Sequence, residues 1–274
     1  MHNLANRVAL VTGGASGIGR ALCEQLALEG AFAVVADINI VAAKEVAKAI
    51  RQSGGRAEAV TLDVSRETDV NQVVRNVVAA HGRLDYMFNN AAIAIVGEFR
   101  DGNVADFRRV VDVNLFGAIH GTMAAYQVML RQGFGHIVNI SSMTGLMPTP
   151  ILTAYSTTKW AIVGFSTSVR VEAAGLGVRV SVACPGLVRT NMGENNVYWN
   201  VRKQDHLAQL PLRWAIDPDT AAKGILRGVA RNQEIIVSPF NVRIGWWLYR
   251  VCPLVFVPLL RLMLKRFRAL RIKP

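Results

Sequence analysis

The feature that most constrains this chain is a two-beat alternation of short apolar runs and amphipathic stretches. Residues 7–12 (RVALVT) are β-branched and apolar and stop at glycines; 17–30 then read as a helix with Ile18, Leu22, Leu26 and Ala27 on one face. The run 31–36 (AFAVVA) ends at Asp37, and a helix at 40–53 closes on Gly54-Gly55. The pattern repeats as strands 57–61, 84–89, 135–141, 177–183 and 234–237, separated by helices 67–81, 104–131, 152–174 and 217–231. Continuously apolar strands of this length are buried on both faces, and helices between them make the crossovers of parallel pairing. The pattern predicts an α/β fold, a single doubly wound parallel-sheet domain over residues 1–238. A basic, apolar extension over 239–274 follows it.

Two stretches break the alternation. Residues 186–216 form a long insertion before the last helix, and such a segment in a compact domain is usually a lid or binding loop. The other is the extension. The chain carries a net charge of +12, which by itself suggests an anionic partner. Eight cations and no acid follow Glu234, so residues 1–234 hold a modest +4 and the basicity belongs to the tail. The three cysteines, Cys23, Cys184 and Cys252, are far apart, which excludes a disulfide framework and fits a reducing compartment. The N-terminus shows no apolar leader, and no apolar stretch is long enough to span a bilayer. The expected location is cytoplasmic, with peripheral membrane contact left open. The histidines have no metal spacing, and no metal site is expected.

Chemistry gathers at the strand ends. Thr12-Gly13-Gly14-Ala15-Ser16-Gly17-Ile18-Gly19 lies between a strand and a helix. Glycines there admit a pyrophosphate close to the backbone, and the helix N-terminus offers free N–H groups. Asp37 ends the second strand, where a carboxylate can accept from ribose hydroxyls and would repel a 2′-phosphate, which favours NAD over NADP. Asp63-Val64 and Asn89-Asn90-Ala91-Ala92 close the third and fourth strands. Tyr155 and Lys159 share one helix face at i and i+4, and an ammonium so placed should lower the phenol's pKa. Ser141-Ser142 ends the preceding strand.

These motifs, from Thr12 to about Thr190, resemble the short-chain dehydrogenase/reductase family in its classical type, including Asn114 in VDVNLFG and Pro185-Gly186 with Thr190. Asn-Asn-Ala-Ala departs from the family's more usual Gly in fourth place by one methyl. The resemblance implies a Rossmann-type domain and an NAD(P)-dependent alcohol dehydrogenase or ketone reductase. It implies a catalytic set of Ser142, Tyr155, Lys159 and Asn114; the family's Ser–Tyr offset selects Ser142 over Ser141. Tyr155 would move the carbinol proton, Ser142 would orient its oxygen, and Lys159 would bind the nicotinamide ribose. Asn114 would hold a water linking Lys159 to solvent. NAD would lie against Gly13, Ser16, Gly17, Ile18 and Gly19, with Asp37 on the ribose and Asp63 and Val64 flanking the adenine. Asn90, Ala91, Tyr155, Lys159, Pro185, Gly186, Val188 and Thr190 would complete its site. A homodimer or homotetramer is the implied assembly.

The segments 143–152 and 186–216 should face substrate. Met143, Met147, Leu152, Met192 and Trp199 are the expected lining, an apolar set suited to a steroid, retinoid, fatty or aromatic alcohol. The bland alternative is that many of them only pack the loops down. In the extension, Gly245-Trp-Trp-Leu-Tyr-Arg-Val puts aromatics beside a cation, as at a membrane interface. From Pro258, Arg261, Lys265 and Arg268 fall on one helical face and Leu259, Leu262, Met263, Leu264, Phe267 and Leu270 on the other, with Arg266 and Arg271 on the flanks. That is the pattern of a monotopic anchor on an anionic membrane surface. An arm packed on another subunit is the competing reading. Nucleic acid is not expected, because no binding module accompanies the charge. A non-catalytic cofactor-binding protein at a membrane is the alternative function.

Overall fold

The computed structural model describes residues 4–272; the tail cation Lys273 lies outside them. β1 (Val8–Thr12), β2 (Phe32–Asp37), β3 (Arg56–Thr61), β4 (Tyr86–Asn89), β6 (Gly135–Ile140), β7 (Val178–Pro185) and β9 (Ile235–Ser238) form one sheet in the order β3-β2-β1-β4-β6-β7-β9. All its pairs are parallel. α1 (Gly17–Leu28), α2 (Ile40–Gln52) and α9 (Pro218–Ala230) cover one face, and α3 (Glu67–His81), α5 (Gly117–Gln132) and α6 (Thr153–Glu172) the other. β1 shows why its sequence is apolar throughout: Ala9 and Val11 pack into the first layer, Val8 and Leu10 into the second. The doubly wound fold is therefore as expected.

The expected helix 104–131 is instead three pieces. α4 (Val104–Val110) runs into a π-helical turn, Val111–Phe116, and then into α5. Apolar periodicity does not register one extra residue per turn, so the sequence pattern runs through the interruption. The 186–216 insertion is short pieces rather than open loop: α7 (Met192–Asn195), β8 (Val197–Tyr198) and α8 (Lys203–Ala208). β8 pairs in parallel with β5 (Ile95–Val96), which pins the insertion beside the end of β4.

The extension forms α10 (Phe240–Val251) and α11 (Phe256–Arg268), bent by 114° at the break between them. It folds back onto the body. Trp246, Tyr249 and Phe256 pack against Leu146, Met147, Ile162, Val182 and Cys184. Phe267 is 3% exposed and Arg268 and Arg271 pair with Glu98. The amphipathic arc is thus shared between body and surroundings, and Phe267, Arg268 and Arg271 are spent on the protein itself. Among the described residues no single helix is long and apolar enough to cross a membrane.

Candidate active site

The chain leaves β3 at one edge, crosses to β4 on the other side of β1, and opens a crevice at the carboxyl ends of these strands. There the β1–α1 turn is tight. Gly13 and Gly17 adopt φ of +63° and +52°, a region costly for any residue with a Cβ. A Cβ on Gly19 would lie 2.1 Å from the Gly13 carbonyl oxygen. Ser16 is the N-cap of α1 but makes no side-chain cap, and the first turn carries no acid. The leading N–H groups of a twelve-residue helix therefore face the crevice uncapped by a side chain.

Asn90 serves this turn directly. Its Nδ2 donates to the Thr12 and Gly13 carbonyls at 2.9 and 3.2 Å, while the Asn90 and Ala91 N–H groups donate to Thr12 Oγ1 at 3.0 and 3.1 Å. Expected beneath a cofactor, Asn90 is first the brace that ties β4 to the glycine turn. Asp37 ends β2 partly exposed, accepting from Ala15 N–H at 3.0 Å and Asn39 N–H at 2.9 Å. Asp63 accepts from the Ser65 N–H and hydroxyl at 3.0 and 2.7 Å, and Val64 packs under Gly117. Pro185 and Gly186 end β7, where Gly186 N–H donates to Ser238 O. Val188 bridges to Ile216, and the Thr190 methyl faces Gly17 across the crevice. Ile18 packs partly into the first core layer.

The second group sits where β6 and β7 meet α6. Ser142 Oγ accepts from Thr144 N–H at 3.2 Å, and its hydroxyl lies close enough to the Tyr155 phenol to oppose the effect of burial on it. Lys159 is buried, its Nζ donating to the Ile140 carbonyl at 2.8 Å and lying 5.3 Å from the Tyr155 ring centroid. The expected fall in the Tyr155 pKa is not what this environment gives. Burial pushes the phenol up to about 12, with the Ser142 hydroxyl opposing it. Burial also pulls Lys159 down to about 8, so its ammonium is still charged at neutral pH. Cys184, behind both, is driven up to about 12 by burial and is inert packing.

Asn114 lies in the π-helical turn, fully enclosed. Its Oδ1 accepts from Ile93 N–H at 2.8 Å, and its Nδ2 donates to Ile93 O at 2.9 Å and Thr158 Oγ1 at 3.1 Å. Both amide hydrogens are committed, so a bound water would have to donate to Oδ1 or use the main chain; the side chain is foremost a brace. Thr158 in turn donates to the Tyr155 carbonyl at 2.7 Å. The bracing roles of Thr12 and Thr158 have no signal in the sequence beyond an ordinary hydroxyl inside a motif.

The expected substrate set is scattered. Met143 and Met147 pack toward α10, Leu152 packs toward α11, and Met192 starts α7. Trp199 is buried against Gly97 and Gly102, with Nε1 donating to Asp106 at 2.8 Å, because two glycines without side chains leave a slot for the indole.

A family model for short chain dehydrogenases matches residues 7–200, more than half of the chain. The chain is 33% identical over 241 residues to SadH of Mycobacterium tuberculosis, named as an oxidoreductase, covering 86% of this chain and 87% of that one. It is 36% identical over 225 residues to the 2,5-dichloro-2,5-cyclohexadiene-1,4-diol dehydrogenase LinX of Sphingobium indicum, covering 82% and 89%. A short-chain dehydrogenase/reductase from Burkholderia phymatum, crystallised with NAD, superposes with a TM-score of 0.84 at 27% identity, covering 91% and 95%.

Proposed function

This chain belongs to the short-chain dehydrogenase family, and from that premise we propose that it oxidises a lipophilic secondary alcohol, or reduces the matching ketone, with NAD. The observation that carries the reading is the buried Lys159 ammonium 5.3 Å from the Tyr155 ring, with the Ser142 hydroxyl close enough to influence the phenol. The crevice fits a dinucleotide: the tight glycine turn, the α1 N-terminus without a side-chain cap, and the Asp37 carboxylate held at the end of β2 beside that turn all favour it. Asp37 supports NAD over NADP, as does the NAD held by the Burkholderia relative. Bound NAD supplies the hydride acceptor.

The chain's own residues do the rest. Ser142 and Tyr155 converge on the oxygen of the alcohol or ketone. In reduction, a phenol held near 12 is protonated at neutral pH and donates to the forming alkoxide. In oxidation it must first lose its proton, and the Lys159 ammonium and Ser142 hydroxyl stabilise the phenolate. The Asn114–Thr158 brace holds α6 so that Tyr155 and Lys159 keep one face together.

Met143, Leu146, Met147, Ile151 and Leu152 precede Tyr155, and their apolar character supports a hydrophobic substrate. Turnover of a panel of lipophilic alcohols, followed by NADH absorbance with NAD and NADP in parallel, tests the reading. Loss of turnover in Tyr155→Phe is expected; full turnover in that variant, or tighter NADP use, would contradict the assignment.

A peripheral contact with an anionic membrane is the second part of the proposal. It is supported by the outer side of the extension, which exposes Phe240, Trp247, Val251, Leu254 and Leu259 among Arg243, Arg250, Arg261, Lys265 and Arg266.

A further inference from the structure

Glu98, just beyond β5, is buried outside the reaction centre, and three guanidinium groups converge on it. Oε1 accepts from Arg268 Nε and Nη2 at 2.9 and 2.7 Å. Oε2 accepts from Arg100 Nη2 at 2.8 Å and Arg271 Nη1 at 2.7 Å. Arg271 also donates to Asp101 Oδ1 at 2.9 Å. A buried carboxylate is tolerated only with such partners. The Arg268 hydrogen bonds, with those of Arg100 and Arg271, hold the Glu98 carboxyl down at about 2, so it stays ionised at any working pH. The tail is therefore latched to the segment after β4 by charge, beside its apolar contacts.

What the latch presses into place is next to the reacting tyrosine. Phe267 packs with Val96, Val201, Ile151, Leu152, Tyr198 and Leu270. Ile151 has a φ of +66°, a conformation costly for a β-branched residue, and its carbonyl accepts from Gly97 N–H at 2.9 Å. Leu152 is the N-cap of α6, and Tyr155 lies within the first turn that follows. A strained backbone persists only where its surroundings over-determine it, and here those surroundings are β5 and the tail.

We infer that α11 is the outer wall of the substrate cleft, that Phe267 sets the bulk of alcohol that reaches Tyr155, and that Glu98 is the positioning residue that holds the wall. The inference rests on the dehydrogenase reading of Tyr155. Removing the Phe267 ring opens space directly behind Ile151 and Leu152. Glu98→Gln keeps shape but removes the charge that gathers Arg268 and Arg271.

The test uses the full chain with saturating NAD and a series of alcohols from 2-butanol to 2-dodecanol. Phe267→Ala is expected to raise kcat/KM for the longest relative to the shortest by about tenfold, the scale on which a few methylenes are discriminated. Glu98→Gln is expected to shift the ratio the same way by roughly threefold, with kcat on 2-butanol unchanged. Phe267→Leu and Arg268→Gln repeat the comparison should the first pair fail to fold. Ratios equal to wild type in folded variants overturn the inference. Amide exchange of Glu98→Gln separates this from failure of the activity reading. If wild type oxidises no alcohol, faster exchange over 148–155 together with 256–272 still supports the wall, and faster exchange of the tail alone overturns it.

Discussion

Asn114 donates to Thr158 at 3.1 Å and thereby joins the π-helical turn to the helix that carries Tyr155 and Lys159. The same amide closes both the N–H and the carbonyl of Ile93. Asn114→Ala would leave the partly buried Ile93 N–H and carbonyl without partners, each costing up to about 1–3 kcal/mol. We expect a fall of roughly 2–4 kcal/mol in urea-unfolding stability together with a reduced kcat. Stability equal to wild type would show that the amide braces nothing.

The sheet, its order of elements and the Ser142–Tyr155–Lys159 constellation were legible because each rests on a local pattern: a buried strand, a strand end, an i, i+4 spacing. Asn114 was legible as important but its bracing contacts were not, because a side chain's partners depend on a π-helical turn that hydrophobic periodicity cannot register. The surroundings of Trp199 are illegible for the same kind of reason. Its slot is made by Gly97 and Gly102, far away in sequence. The extension was read outward, toward lipid or another subunit, because Glu98 lies some 170 residues before its partners Arg268 and Arg271 and nothing in either segment announces the other.

Lys159 places its ammonium 5.3 Å from the Tyr155 ring, and burial makes the phenolate dependent on it. Alcohol oxidation needs the deprotonated phenol, so a higher phenol pKa lowers the rate at any fixed pH below it. Lys159→Met should move the acidic limb of the kcat/KM profile to higher pH and lower the rate at pH 7 by about a hundredfold. In wild type the oxidation rate should rise toward pH 8 and level as Lys159 itself loses its proton near 8. An acidic limb that stays in place without Lys159 would refute this coupling.

Gly19 has no room for a methyl group. A Cβ would meet the Gly13 oxygen at 2.1 Å and Asn90 Nδ2 at 2.5 Å, and both atoms belong to the braced turn. Gly19→Ala should cost roughly 1–3 kcal/mol of stability and weaken NAD binding, read by calorimetric titration. Gly164 in α6 meets nothing within 4 Å, so Gly164→Ala is the control and should be neutral or stabilising by about 0.5–1 kcal/mol. Unaltered NAD affinity in Gly19→Ala would place the dinucleotide elsewhere.

The outer side of the extension predicts flotation with vesicles that contain anionic lipid and its decline as salt is raised. Replacing exposed Trp247 and Leu254 by Ser should reduce flotation, and neutralising Arg250, Arg261 and Lys265 should flatten its salt dependence, at about 1 kcal/mol per cation at low salt. Equal flotation of every variant would remove the membrane contact, and a change in oligomer size would assign that face to another subunit.

His136, on β6 and almost fully enclosed, makes its ring hydrogen bond to Ser181 at 2.9 Å. Burial, with Arg179 and Arg170 nearby, lowers its pKa from 6.5 to about 3. The unfolded chain therefore takes up a proton near pH 6.5 that the folded chain refuses until about 3. Stability is fully present above 6.5 and falls as pH drops through that window, by as much as about 4–5 kcal/mol. Urea midpoints measured from pH 7 to pH 4 should show this slope in wild type, and His136→Leu should lose most of it even if its stability at pH 7 is lower. An unchanged slope in that variant would mean that other groups carry the acid sensitivity.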